Sequence, residues 1–144
     1  MAQSRRSRGA LFAAIAIGWG VVAFVRGARL TPVRVAGDSM EPTLHDGDLV
    51  VVAPPRAAPE LGAIVVVRRP GGVEDVKRVV GSPGDHVRLG SSGIDLGPGR
   101  FAIAGDNRSR STDSRHYGPV AMDDIVAVVR ACYWPPSSWR LFPR

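Results

Sequence analysis

Disulfides are excluded by arithmetic: the 144 residues hold one cysteine, Cys132, so no internal bridge can form. That count leaves the redox compartment open. The apolar setting of Cys132, after Val128 and Val129, reads as a core thiol rather than a reactive one. Histidine is nearly as scarce. His45, His86 and His116 are scattered without metal-ligand spacing, so no metal site is expected and no cofactor with it. Aromatic residues make up 6% of the chain and do not interleave with a basic stripe, which leaves no track for a nucleic-acid backbone. Acidic residues are missing from positions 1–34, which carry Arg5, Arg6, Arg8, Arg26, Arg29 and Arg34. Residues 35–144 balance thirteen basic against thirteen acidic side chains, so the net charge of +6 belongs to the N-terminal fringe. A basic fringe around apolar residues suits anionic lipid headgroups. Lysine itself is almost absent: of 19 basic residues only Lys77 is not arginine. A bias toward arginine explains the rest, and a lone surviving amine marks a place where a side chain that can lose its proton is needed. Chance survival of a surface lysine is the competing reading.

With 44% apolar residues, 17 Gly and 12 Pro, the chain can bury one modest core and has no room for two full domains. Residues 9–25 form an uncharged run, GALFAAIAIGWGVVAFV, between Arg8 and Arg26. As a helix it spans roughly 25 Å, close to a hydrocarbon core once the flanking arginines snorkel outward. It reads as a transmembrane anchor; a cleaved signal peptide is the alternative, although no small-x-small cleavage site follows before Arg26. Three arginines on each side leave the orientation undecided by charge. From Val33 onward, short β-branched runs alternate with turn residues. Leu49–Val52, Ile64–Val67, Val76–Val80, Val87–Leu89, Phe101–Ala104 and Ile125–Ala131 are predicted strands. Gly47-Asp48, Pro54-Pro55, Pro70-Gly71-Gly72, Pro83-Gly84-Asp85 and Gly97-Pro98-Gly99 separate them. The expected fold is all-β, a small, partly closed antiparallel barrel or sheet behind one N-terminal transmembrane helix. The stretch from Tyr133 onward, mixing aromatics with Pro and Arg, fits either a cover over the sheet or a contact with the membrane interface.

Three segments gather polar residues with neither helical nor strand periodicity: GDSMEPTLHDGD at 37–48, VKRVVGSPGD at 76–85 and GDNRSRSTDSRHYGPV at 105–120. A serine hydroxyl is a weak nucleophile until a neighbouring base takes its proton. The usual base is a histidine held by a carboxylate, but neither His45 nor His116 has a compelling position. A lysine can serve instead if burial lowers its pKa toward neutrality. Val76, Val79 and Val80 around Lys77 make such burial plausible, whereas Asp75 on the same strand face offers the alternative of an exposed Lys–Asp pair.

These three segments, in this order, closely resemble the signature boxes of bacterial type I signal peptidases, a family of Ser-Lys endopeptidases. The likeness runs from about Val33 to Pro136. It implies a catalytic domain over 33–136, a basic cytoplasmic stretch 1–8, an anchor 9–26 and a tail 137–144. By the same resemblance Ser39, in S-M-x-P-T, is the nucleophile, and Lys77, opening K-R-V-x-G-x-P-G-D, is the base. Ser111 hydrogen-bonds the lysine amine, and Asp113 and Arg115 brace the site, as a structural ion pair rather than a proton carrier. Gly37, Asp38, Met40 and Pro42 belong to the oxyanion hole and cleft, with simple packing the competing reading for Met40 and Pro42. Gly105, Asp106 and Asn107 shape the turn that delivers Ser111.

Two departures stand out. Some relatives carry a hydroxyl residue two positions before the nucleophile, where this chain has Gly37; glycine there permits close backbone approach. Only about twenty residues separate Asp85 from Gly105, where larger relatives carry an inserted subdomain. The resemblance implies signal-peptide substrates in extended conformation, with small residues at the first and third positions before the cut. It also implies plasma-membrane lipids as the other partner and an extracytoplasmic catalytic domain. Competing readings are a maturation protease of the same family dedicated to one cargo, such as a nickel superoxide dismutase precursor, and a silent, tethered peptide-binding β module.

Overall fold

The computed structural model describes residues 29–142, in which a compact unit begins at Pro32. The basic stretch 1–8 and the anchor 9–26 lie outside the described residues. Among the described residues no helix is long and apolar enough to cross a membrane.

The chain is mostly strand: β1 (Thr31–Arg34), β2 (Leu49–Ala53), β3 (Ile64–Arg68), β4 (Glu74–Gly81), β5 (His86–Leu89), β6 (Ser92–Asp95), β7 (Arg100–Ala104), β8 (Val120–Ala121), β9 (Ile125–Trp134) and β10 (Arg140–Leu141). All six predicted strands are present. The main sheet runs β1-β2-β9-β3-β4-β7-β8, while β5 and β6 form a separate antiparallel hairpin. Strand β9 is its spine. It pairs antiparallel with β2 on one edge, and on the other with β3 near its start and β10 near its end. Register shifts interrupt both the β2–β9 and the β3–β9 ladders. Each such shift bends and twists a strand, and the sheet curls into an antiparallel half barrel. It stays open, with β1 and β8 at the two ends of the strand order.

The curl gives the sheet two apolar sides. Strand β3, an unbroken Ile-Val-Val-Val run, is buried on both of its faces, as a strand without polar alternation should be. Ile64 and Val66 join a core with Val50, Val52, Val129 and Cys132, whereas Val65 and Val67 join one with Val79, Phe101, Ile103 and Val128. The first core also takes Met40 and Leu44 from the long β1–β2 loop. That loop is therefore fastened to the sheet by its own side chains. The described end of the chain returns to the sheet as β10, antiparallel to β9.

Phe101 is the largest fully buried side chain. Phe101→Ala should cost about 3–5 kcal/mol in chemical denaturation, because the surrounding strands cannot collapse into the space it leaves.

Candidate active site

Ser39 lies in the β1–β2 loop. At Gly37 the backbone has a φ of +84°, a left-handed conformation open to glycine, and its N–H donates to Asp46 Oδ1 at 2.8 Å. The chain then turns tightly, the N–H groups of Thr43 and Leu44 both donating to the Met40 carbonyl at 2.9 Å. With Met40 and Leu44 in the core, Ser39 is held at the loop surface, half-buried.

Lys77 approaches from β4, paired across the ladder with Val65 of β3. Its side chain is 3% exposed. Nζ stands 3.0 Å from Ser39 Oγ and donates to the Val76 carbonyl at 3.1 Å. Burial pulls the ammonium below the usual lysine range; the charges of Asp75 and Asp113 oppose that shift, and Arg69 reinforces it. Asp75 pairs instead with Arg69, Nε to Oδ2 at 3.4 Å. The exposed Lys77–Asp75 pair weighed above is therefore not what the chain adopts.

The segment 105–120 closes the site from the side. The Asn107 N–H donates to the Ser39 carbonyl at 2.9 Å. A Cβ placed on Gly105 would lie 2.3 Å from Ser111 Oγ and 2.5 Å from the Ser39 carbonyl oxygen, so only glycine fits between them. Asp113, fully buried, caps the helical turn Ser114–Tyr117 and accepts from the Gly105 N–H at 3.0 Å. Arg115 grips the same carboxylate through Nε at 2.8 Å and Nη2 at 2.9 Å. Burial alone would raise this carboxyl, but the bonds from Arg115, Gly105 and Ser111 outweigh it and hold Asp113 well below the carboxylate range.

Two expectations need correction. The Ser111 hydroxyl donates to Asp113 Oδ2 at 2.8 Å, and among the described residues no hydrogen bond joins it to Lys77. A buried carboxylate with four other donors already on it is the stronger acceptor. Met40 does not line a cleft; its side chain belongs to the core. Pro42 is exposed at the turn. Asp38 pairs with Arg110, which ties the Ser39 loop to segment 105–120 on the surface. Among the described residues no cluster of His, Cys, Asp and Glu converges to hold a metal.

The profile for signal peptidase, peptidase S26, matches residues 8–97 and 90–134. The chain is also 35% identical over 115 residues to mitochondrial inner membrane protease subunit 1 of Schizosaccharomyces pombe, covering 72% of this chain and 73% of that one. It is 27% identical to signal peptidase IB of Staphylococcus aureus over 165 aligned positions, 83% of this chain and 86% of the relative.

The chain belongs to the signal peptidase family.

This signal peptidase is a hydrolase, and its fold holds an alcohol and a buried amine at hydrogen-bonding distance. Sequence reasoning missed some of what assembles them. Arg78, next to Lys77 but on the other strand face, binds Asp106 through Nε at 2.8 Å and Nη2 at 2.7 Å. Its Nη1 reaches the Gly62 carbonyl at 2.7 Å. One guanidinium thus joins the strand of Lys77 to the turn that receives Ser39. Its place directly after the lysine in the motif was the signal available. Tyr117, packed against the second core, has a buried hydroxyl without a partner among the described residues; burial, with Asp75 and Asp113 nearby, pushes it up to about 12.

Proposed function

We propose that this signal peptidase is a membrane-anchored serine endopeptidase that cuts exported preproteins after small residues, with Ser39 as nucleophile and Lys77 as general base. The observation that carries the reading is the 3.0 Å approach of the buried Lys77 Nζ to Ser39 Oγ. With the amine neutral, the hydroxyl donates to Nζ and its oxygen is free to attack a carbonyl carbon. The proton moves to Lys77, and the oxyanion accepts a bond from the Ser39 backbone N–H, which has no acceptor among the described residues. Breaking the C–N bond returns that proton to the leaving amine. Water then attacks the serine ester, again giving its proton to Lys77. Asp113, with Arg115 and Ser111, braces the wall against which Ser39 and Gly105 pack.

The substrate lies extended along a strand edge, with small residues at the first and third positions before the cut. Residues 9–26 span the plasma membrane, leaving Arg5, Arg6 and Arg8 in the cytoplasm and the β domain outside.

Incubating the detergent-solubilised protein with a preprotein bearing an Ala-x-Ala site should give one cut, after the second Ala. Ser39→Ala and Lys77→Ala should give none, and a chelator should leave the rate unchanged. Binding without cleavage would instead identify a silent peptide-holding module. Activity toward one cargo only, across a panel of preproteins, would identify a dedicated maturation protease.

A further inference from the structure

Two carboxylates, Asp75 and Asp113, act on the charge of Lys77, and each already has its own arginine. Asp113 is gripped by Arg115. Asp75 is met by Arg69 at 3.4 Å. The second pair is the one the reaction does not explain. Strand alternation sets Asp75 and Lys77 on one face of β4, about 7 Å apart along the strand, a distance that a lysine stem spans easily. An Asp–Lys contact there is the arrangement that strand geometry alone favours, and it would draw the amine away from Ser39. Arg69 stands in the turn between β3 and β4, where its N–H donates to the Val73 carbonyl at 2.9 Å and its carbonyl accepts from the Gly72 N–H at 3.0 Å. That closed turn aims the guanidinium at Asp75.

We propose that Arg69 is a positioning residue of this site: by holding the Asp75 carboxylate it keeps that carboxylate off the Lys77 amine and leaves the amine to Ser39. The inference rests on the Ser39–Lys77 reading of the reaction. The groups that face Lys77 are Asp75 on its own strand, Arg69 from the β3–β4 turn, Ser39 from the β1–β2 loop, and Asp113 from segment 105–120. Tyr117 lies near the same two carboxylates. Of these only Asp75 is both negatively charged and held by a partner outside the 105–120 brace. Its attraction favours the protonated amine, and Arg69 opposes that attraction.

Lys77 is the only lysine of the chain, so lysine-selective 13C labelling of the full-length protein with a lysine-free tag gives one ε-carbon signal to titrate. In Arg69→Ala its midpoint should move to higher pH, and cleavage at pH 7 should fall roughly tenfold yet recover at alkaline pH. In Asp75→Asn the midpoint should move to lower pH. The double variant should stay at or below the wild-type midpoint, differing from Asp75→Asn only by the loss of Arg69's own charge. An Arg69→Ala midpoint equal to wild type, or a double variant displaced above wild type, overturns the proposal. Should Arg69→Ala fail to fold, Asp75→Asn decides alone, and an unmoved or raised midpoint there overturns it as well. Absence of cleavage by the wild type, with the titration shifts intact, would sink the protease mechanism and leave the ion-pair inference standing.

Discussion

Lys77→Arg should lower kcat/KM for a preprotein by at least roughly 10^3-fold at every accessible pH, although charge and length are nearly preserved. Guanidinium does not lose its proton in a protein, so it can neither accept from Ser39 nor cycle that proton to the leaving amine. Wild-type activity should rise with pH as the amine becomes neutral. Because burial lowers the Lys77 pKa, that rise should be centred below the usual lysine range. A rate–pH profile of both proteins, measured on the same substrate, checks the prediction. An arginine variant with activity that still climbs with pH would exclude Lys77 as the titrating base.

The same burial implies a cost in stability, and its sign follows from proton linkage. Below the folded pKa of Lys77 the fold must hold a buried ammonium that the unfolded chain exposes to water. As pH rises above the folded pKa, the native state sheds this proton while the unfolded lysine keeps its own, so stability increases across that window. Lys77→Met, similar in volume and uncharged, should therefore unfold at a higher temperature than wild type at neutral pH while showing no cleavage. A residue that weakens the fold yet sits in its core is where function outweighs packing.

How much of this was legible in the residues alone differs between sheet and site. The β-branched runs all became strands, because Val and Ile in short runs have no better place than a pleated, buried surface. Strands β1, β6, β8 and β10 were not foreseen. Ser92–Asp95 carries no β-branched run and is exposed throughout, and its strand character comes from pairing with β5. Val120–Ala121 is a strand only because Phe101 and Arg100 lie beside it. Tertiary pairing, invisible to local pattern, made these elements. At the site, Ser39 and Lys77 were legible as chemistry, but a separation of 38 in sequence hides their meeting, and family resemblance rather than spacing joined them. Ser111 was assigned to the lysine by family resemblance. The structure gives that hydroxyl to Asp113, whose depth no local pattern revealed. Met40, read as cleft or as packing, is core, since the loop that carries Ser39 must also be anchored.

Gly105→Ala should cripple the enzyme without touching a reacting group. The new methyl would overlap the Ser111 side chain, at 2.3 Å and 2.5 Å from its Oγ and Cβ, and the Ser39 carbonyl oxygen at 2.5 Å. Contacts that short do not persist, so something must move. Ser111 is buried and bonded to Asp113, and the Ser39 oxygen is backbone, held by the Asn107 N–H at 2.9 Å. Neither can rotate away as an exposed side-chain end could. The displacement therefore passes into the loop that sets Ser39 Oγ against Lys77. A shift near 1 Å there is enough to cost roughly 10^2-fold in rate, and overpacking of this kind costs about 1–3 kcal/mol in stability. Gly97→Ala is the matched control, because a Cβ there meets nothing within 4 Å and the backbone is not left-handed. Cleavage rates and unfolding midpoints of the two variants, taken side by side, test the claim. If both glycines tolerate alanine equally, the tight stack of Ser39, Gly105 and Ser111 is not what places the nucleophile.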